Sequence, residues 1–99
     1  MTERIRRSSG NVFKDLGFPA EEAAHLSIRA DLMIQLTRIL KKRRLTQVRA
    51  ARLLGVSQPR VSDLVRGRID LFSIDSLVEM LASLGVSVSL RARRSKRVA

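Results

Sequence analysis

The feature that most constrains this chain is the way its apolar pattern is delimited between residues 46 and 85. Three apolar stretches at helical spacing each begin after a hydroxyl side chain and each end at a glycine. The delimiting pairs are Thr46 and Gly55, Ser57 and Gly67, and Ser73 and Gly85. Ser and Thr side chains cap helix N-termini, and glycine accepts the left-handed conformation that ends a helix. The pattern therefore predicts three short consecutive helices.

Apolar side chains three and four residues apart form a stripe along each of these helices, and the second helix is expected to bury its stripe. The stripes are Ala50, Leu53 and Leu54, then Val61, Leu64 and Val65, then Ile74, Leu77, Val78, Leu81 and Leu84. Pro59 falls in the first turn of the second helix, where its missing N–H has little effect.

The segment before residue 46 reads as a short apolar flap followed by a long helical region. Gly10, Gly17 and Pro19 interrupt the flap, in which Val12, Phe13, Leu16 and Phe18 are expected to pack together. From Ala20 a helical pattern continues through Leu26, Leu32, Met33, Leu36, Ile39 and Leu40. Either one helix reaches about residue 43, or two helices meet at a kink near Ser27. The cations from Lys41 to Arg44 suit the negative end of a helix dipole.

After Gly85 the apolar period changes from 3.6 to 2, because Val86, Val88 and Leu90 alternate with Ser87 and Ser89. This alternation predicts a strand over 86–90. A lone strand leaves its backbone groups unpaired, and pairing with a second copy would satisfy them. A partner protein's sheet edge or an earlier strand could also pair with it. The predicted fold is an all-α bundle of four to five helices with a short C-terminal β-strand for dimerisation.

Charge is distributed unevenly along the 99 residues, which carry 20 Lys and Arg against 9 Asp and Glu. Residues 38–68 hold ten bases and one acid, and residues 91–99 hold five further bases. Such a charge distribution points to polyanions or acidic proteins as partners. We expect basic, disordered tails at 1–10 and 91–99, flanking one domain at 11–90.

Several function classes are excluded by what the sequence lacks. It has no cysteine and only one histidine, His25, so disulfides, thiolate zinc sites and a catalytic thiol are excluded. No metal, cofactor or enzymatic activity is expected, because no catalytic spacing surrounds the Ser, His and Asp residues. No apolar run approaches the length of a membrane span, and no signal peptide is recognisable. A soluble, cytoplasmic protein is expected.

The two short helices on either side of Gly55-Val56-Ser57 form a helix-turn-helix pattern. The segment LTQVRAARLLGVSQPRVSDLVRGR, residues 45–68, resembles the XRE (Cro/CI, lambda-repressor-like) family. The shared landmarks are Thr46, Gln47, Ala51, Gly55, Gln58, Leu64 and Gly67. The wider stretch 11–90 resembles small HigA-like antitoxins and related single-domain regulators. The resemblance implies a lambda-repressor-like bundle that binds DNA through its second motif helix.

Both the resemblance and helical phase suggest a set of DNA-contacting residues. By resemblance, Gln47 contacts a phosphate and Gln58 reads a base, since an amide can pair with adenine. Arg60 is the candidate for guanine, Pro59 for a thymine methyl and Asp63 for cytosine. The predicted base-contacting residues are Gln58, Pro59, Arg60, Ser62, Asp63 and Arg66. The predicted phosphate-contacting residues are Thr46, Gln47, Ser57 and Arg68, and the predicted dimer contacts are Val86, Val88 and Leu90.

Two functions are compatible with this pattern and can coexist. One is a sequence-specific repressor that binds a palindromic operator in double-stranded DNA as a homodimer. The other, implied by resemblance, is an antitoxin that autoregulates its operon and neutralises a RelE-like ribonuclease toxin. Alternatives are a free-standing or prophage regulator without a toxin, a nonspecific RNA binder led by the tail RARRSKR, and a hairpin used only for packing. Arg38 and the cations at 41–44 could simply solubilise a helix end.

Overall fold

The computed structural model describes residues 12–92 as a succession of helices joined by tight turns. The α-helices are α1 (Val12–Asp15), α2 (Ala20–Lys42), α3 (Gln47–Leu54), α4 (Gln58–Val65) and α5 (Ile74–Ser83), with a 3-10 turn at Ile69–Leu71 between the last two. The all-α prediction is confirmed for this part of the chain. The N-terminal tail predicted at 1–10, and the C-terminal tail beyond residue 92, lie outside the described residues.

Helix α2 is a single uninterrupted helix, which decides between the two alternatives that the sequence left open. It runs for 23 residues without proline or glycine, and Ser27 is buried on its inner face. Glu21 and Glu22 lie in its first turn and Lys41 and Lys42 in its last, the arrangement that the helix dipole favours. The resulting helix is long enough to contact α1, α4 and α5.

The core lies where α2 packs against the shorter helices. Its most deeply buried large side chains are Phe72, Leu36, Leu64, Leu77, Leu81 and Val61. These come from α2, α4, α5 and the segment just before α5, so residues distant in sequence share one core. Burying these apolar groups supplies the main driving force for the fold.

Two apolar residues of the motif helices are about half exposed. Burial was predicted for Val65, and that prediction is wrong. Leu53 is 50% exposed and Val65 is 49% exposed. In α4 the deeply buried pair is Val61 and Leu64. At about 100° per residue, Val65 and Arg60 each lie about 70° from the centre of that face, one on either border. A two-turn helix has a narrow buried stripe, and these residues mark its edges.

The strand predicted over 86–90 is not present, and within residues 12–92 no strand forms. The backbone leaves α5 through Gly85, and the Val86 N–H donates to the Leu81 carbonyl at 2.9 Å. Val86 and Val88 are partly buried against the chain's own core, whereas Leu90 is 65% exposed. Within the single chain, the period-2 alternation therefore corresponds to an extended segment that packs on the core. A strand also needs a hydrogen-bonded neighbour, and no described segment provides one.

Helix α1 and the turn after it form the predicted flap, which only partly covers its apolar residues. The rings of Phe13 and Phe18 meet edge to face, with 6.1 Å between their centroids. Helix α1 packs against α2, yet Val12 and Leu16 are 58% and 69% exposed. The flap thus leaves an apolar surface uncovered in the single chain.

Candidate nucleic-acid interface

Helices α3 and α4 and the turn between them have the geometry that the sequence predicts for a helix-turn-helix. Gly55 ends α3 with φ of 70°, in the left-handed region that favours glycine. The Val56 N–H then donates to the Ala51 carbonyl at 3.0 Å, and the Val56 side chain packs against the core. The turn is therefore closed by both a backbone hydrogen bond and apolar contact.

Hydroxyl caps set the start of each motif helix. The Thr46 Oγ1 accepts a hydrogen bond from the Arg49 N–H, and the Ser57 Oγ accepts one from the Arg60 N–H. Both caps were predicted from sequence and are confirmed. Residues at the first turn of a helix keep backbone N–H groups without an intrahelical acceptor, and the dipole makes this end attractive to anions. The starts of α3 and α4 are thus chemically suited to phosphate oxygens.

The first residue of α3 and the first turns of α4 line one open hollow on the surface. Its lining consists of Gln47, Gln58, Pro59 and Ser62. Gln47, Gln58 and Pro59 are exposed, and Ser62 is partly exposed. The sequence predicted these residues singly, for phosphate or base contact, and the structure brings them together. Two amides, one hydroxyl and one apolar ring can bond to or pack against base edges and backbone oxygens.

Arg60 occupies a different environment from the other predicted base-contacting residues. Its guanidinium carbon lies 4.1 Å from the centroid of the Phe72 ring. Its Nη1 donates to the Leu71 carbonyl at 2.7 Å, and the residue is partly buried. Arg60 thus faces the segment that precedes α5, at the border of the buried face of α4. A base-reading role for Arg60 stays a prediction, and the structure gives this side chain a second possible role.

The remaining predicted contacts lie at the C-terminal end of α4. Arg66 and Arg68 are exposed, and Asp63 is partly buried. The Arg68 N–H donates to the Asp63 carbonyl at 3.1 Å, and Gly67 adopts φ of 74°. This closed turn fixes where the backbone of Arg66 and Arg68 leaves the helix.

One cation of the basic block has a role that sequence reasoning missed. The Arg43 Nη2 donates to the Leu84 carbonyl at 2.9 Å, across a separation of 41 residues. This bond joins the end of α2 to the end of α5 and satisfies a carbonyl left free by the helix terminus. A merely solubilising role was expected for most of the cations at this helix end, and Arg43 is an exception to it. No local signal could reveal this contact, because the acceptor is a main-chain atom remote in sequence.

Other site types find no support in the described residues. Among residues 12–92 no group of three or more His, Cys, Asp or Glu side chains could hold a metal ion. None of the helices in that range combines the length and apolar character that a membrane span requires. His25 is exposed on α2.

Comparison with known proteins identifies the family. A family model described as a helix-turn-helix domain matches residues 12–93. A solved structure described as an XRE family transcriptional regulator is 30% identical and superposes with a TM-score of 0.68. The alignment covers 79% of this chain and 90% of that one. No curated protein matches the chain. The chain therefore belongs to the XRE-type helix-turn-helix family, and its fold is that of a DNA-binding transcriptional regulator.

Proposed function

We propose that the chain is a sequence-specific repressor that binds double-stranded DNA with α4 in the major groove. The observation that carries this proposal is the shared hollow of Gln47, Gln58, Pro59 and Ser62. It combines the N-terminal end of α3, suited to phosphate, with side chains of α4 that can reach base edges. Bound at an operator, such a protein would exclude the transcription machinery from that site.

Within this proposal the exposed side chains of α4 have distinct tasks. The Gln58 amide pairs with adenine, the Pro59 ring contacts a thymine methyl, and Ser62 donates to or accepts from a neighbouring base edge. Asp63 accepts from cytosine, and Arg66 provides a further base contact. The phosphate contacts come from Thr46, Gln47, Ser57 and Arg68, which flank α4 or start α3.

The charge of the chain supports binding to a polyanion. The block 38–68 carries ten bases against one acid, and most of these bases are exposed in the structure. A field of this sign attracts DNA at long range and contributes affinity that declines with salt. It provides no sequence preference by itself, so specificity rests on the α4 side chains.

Selection of bound duplexes from a random library tests the proposal. We expect the wild-type chain to enrich one palindromic sequence and to prefer it over random DNA by about 10³-fold or more at fixed salt. Gln58→Ala should weaken binding to that site by about 1–3 kcal/mol and leave random DNA nearly unaffected. Gln47→Ala is the matched control, because loss of a phosphate contact weakens both complexes equally. If no sequence is enriched, or if Gln58→Ala weakens both complexes alike, the proposal is wrong.

We further propose that the repressor is a homodimer joined through residues 86–90. In the structure this segment is extended, and residues 87–90 form no backbone hydrogen bond with any described residue. Val86 and Val88 are half-buried and pack against the core. Leu90 follows in the same period-2 alternation and is exposed. Antiparallel pairing with the same segment of a second copy would supply the backbone hydrogen bonds that residues 87–90 lack. It would also place two α4 helices about 34 Å apart, for adjacent major grooves of DNA.

Sedimentation at micromolar concentration tests the dimer. Leu90→Asp should yield a folded monomer. Leu90 is 65% exposed in the single chain, so the new charge would disturb the proposed interface and not the chain's own core. Ser89→Asp is the control, since its side chain points to the opposite face and should leave the dimer intact. A wild-type monomer, or a dimer that withstands Leu90→Asp, would exclude this interface.

An antitoxin role is the second candidate function, implied by the resemblance to HigA-like antitoxins. The supporting observation is the uncovered surface of α1 and the turn after it, where Val12 and Leu16 are exposed. The nearby sequence adds exposed acidic residues, Asp15 at the end of α1 and Glu21 and Glu22 in the first turn of α2. Since this surface lies on a different element from α3 and α4, a bound toxin and DNA could be accommodated together. A RelE-like ribonuclease encoded next to this chain is the proposed partner.

Co-expression tests the antitoxin role. A small reading frame next to the gene, where one is found, should arrest growth when expressed alone, and this chain should relieve the arrest. Leu16→Asp should abolish the relief while operator binding remains, whereas Gln58→Ala should have the opposite effect. If no neighbouring product arrests growth, the chain is a free-standing or prophage regulator.

A further inference from the structure

Arg60 differs from every other predicted DNA contact in what its side chain touches. The residue lies in the first turn of α4, two positions after Gln58, yet its guanidinium stacks on Phe72 at 4.1 Å. It also donates to the main-chain carbonyl of Leu71 at 2.7 Å. Phe72 is 1% exposed and is part of the central core. One of the two partners of this cation is therefore a deeply buried core side chain.

We propose that Arg60 is a positioning residue that sets the orientation of α4, and that it influences base selection through Gln58. The inference rests on the proposed function of α4 as the base-reading helix. Arg60 acts at the start of that helix in two ways. Its N–H donates to the Ser57 cap, and its side chain ties the same turn to Leu71 and Phe72.

The short length of α4 explains why such an anchor matters. The helix has only eight residues, and its deeply buried contacts are Val61 and Leu64. These two contacts define an axis, and by themselves they would not prevent α4 from rotating about that axis. The Arg60 contacts lie to one side of that axis, at the border of the buried face, and thus oppose rotation. Because base-edge hydrogen bonds tolerate little misplacement, a rotated α4 would lose the Gln58 contact first.

A direct base-reading role would require Arg60 to leave both of its partners. The Leu71 carbonyl would then lose its bond from Nη1, and the face of the Phe72 ring would lose the stacked cation. Stacking and a charge-assisted hydrogen bond are both geometrically specific interactions of the planar guanidinium. In the observed position the guanidinium makes one contact of each kind within the protein itself.

The test compares Arg60→Ala, Arg60→Met and Phe72→Leu on duplexes selected by the wild-type chain, with each base pair of the site varied in turn. Arg60→Ala should lower selectivity about tenfold, at the same base pairs that Gln58→Ala affects. Phe72→Leu, which keeps an apolar core residue but removes the ring, should have the same profile. Arg60→Met should recover part of the selectivity, because its side chain still packs on Phe72 without any guanine-binding group. The double variant Arg60→Ala/Phe72→Leu should lose little more than either single variant.

The outcomes separate this inference from the proposed function. If the wild-type chain selects no site, the proposed function fails. The contrary result is a selected site at which Arg60→Ala abolishes the preference for one base pair, while Gln58→Ala and Phe72→Leu leave that preference unchanged. Arg60 then reads that base pair directly, and the inference is overturned. Equal loss by Arg60→Met and Arg60→Ala, with Phe72→Leu behaving like the wild type, would also overturn it. Circular dichroism at the binding temperature verifies that each variant is folded.

Discussion

Replacing Gly55 by alanine tests whether the turn between α3 and α4 sets both stability and DNA binding. Gly55 has φ of 70°, and an added Cβ would meet no atom within 4 Å. Steric overlap with neighbours therefore contributes nothing, and the whole effect comes from backbone conformation. A residue with a Cβ in the left-handed region is disfavoured by roughly 1–2 kcal/mol.

The expected loss of unfolding free energy is about 1 kcal/mol, since alanine also restricts the unfolded chain and the turn can relax slightly. For a domain of this size, that corresponds to a lower Tm by about 4–8 °C. Gly55→Asn should lose less, because asparagine tolerates the left-handed region better than alanine.

Gly85 offers a matched control at the end of α5. Its φ is 81°, and an added Cβ would also meet nothing within 4 Å. Gly55→Ala and Gly85→Ala should therefore have similar denaturant midpoints. Only Gly55→Ala should weaken operator binding below the unfolding range, because only this turn sets the angle between α3 and α4. Urea titration and fluorescence anisotropy with labelled duplex measure the two effects separately.

Three results would refute this reasoning. An unchanged midpoint for Gly55→Ala would mean that the left-handed turn is not maintained in solution. A loss above about 4 kcal/mol would mean that the position is tightly packed, which the open space around Gly55 contradicts. Equal weakening of operator binding by Gly55→Ala and Gly85→Ala would show that the turn angle has no special influence.

Three further predictions concern other parts of the molecule. Arg44, just after α2, has φ of 53°, which strains a residue that carries a Cβ. Arg44→Gly should therefore raise the free energy of unfolding by about 0.5–1 kcal/mol, as measured by urea unfolding. A lower free energy of unfolding would contradict the strain argument. Leu36→Ala should lower the free energy of unfolding by about 2–5 kcal/mol, because Leu36 is 0% exposed in the core. Ile34 on the same helix is 47% exposed, so Ile34→Ala should cause a much smaller loss in the same assay. Removing residues 91–99, with their five bases, should reduce the slope of DNA affinity against salt concentration and leave the Tm unchanged. An unaltered slope would show that the tail does not contact phosphates.

Local features of this fold were predictable from the sequence because their causes are local. Thr46, Ser57 and Ser73 each accept a hydrogen bond from an N–H three residues ahead, so the cap and its partner lie within one short segment. Gly55 and Gly85 end their helices through a conformation that depends on the glycine itself. The order and approximate bounds of α3, α4 and α5 follow from such short-range interactions.

Predictions that depended on a distant partner were the ones that changed. The alternation of Val86, Val88 and Leu90 is the same whether the segment pairs in a sheet or packs on its own helices. Only the position of the core shows that Val86 and Val88 pack against it. Likewise, Val65 and Leu64 are both apolar, and the placement of α4 against its neighbours decides which of them is buried.

The candidate DNA-binding surface shows the same division. Helical phase and resemblance identified Gln47, Gln58, Pro59 and Ser62, and the turn at Gly55 brings the starts of α3 and α4 together into one hollow. Arg60 lies in the same turn as Gln58, and because both side chains are polar, the sequence alone does not separate their roles. Its position was decided by Phe72, 12 positions further along, whose ring presents its face to the guanidinium. Capping and periodicity act over three or four residues, whereas the environment of a long cationic side chain is set by whichever surface the tertiary fold places within its reach.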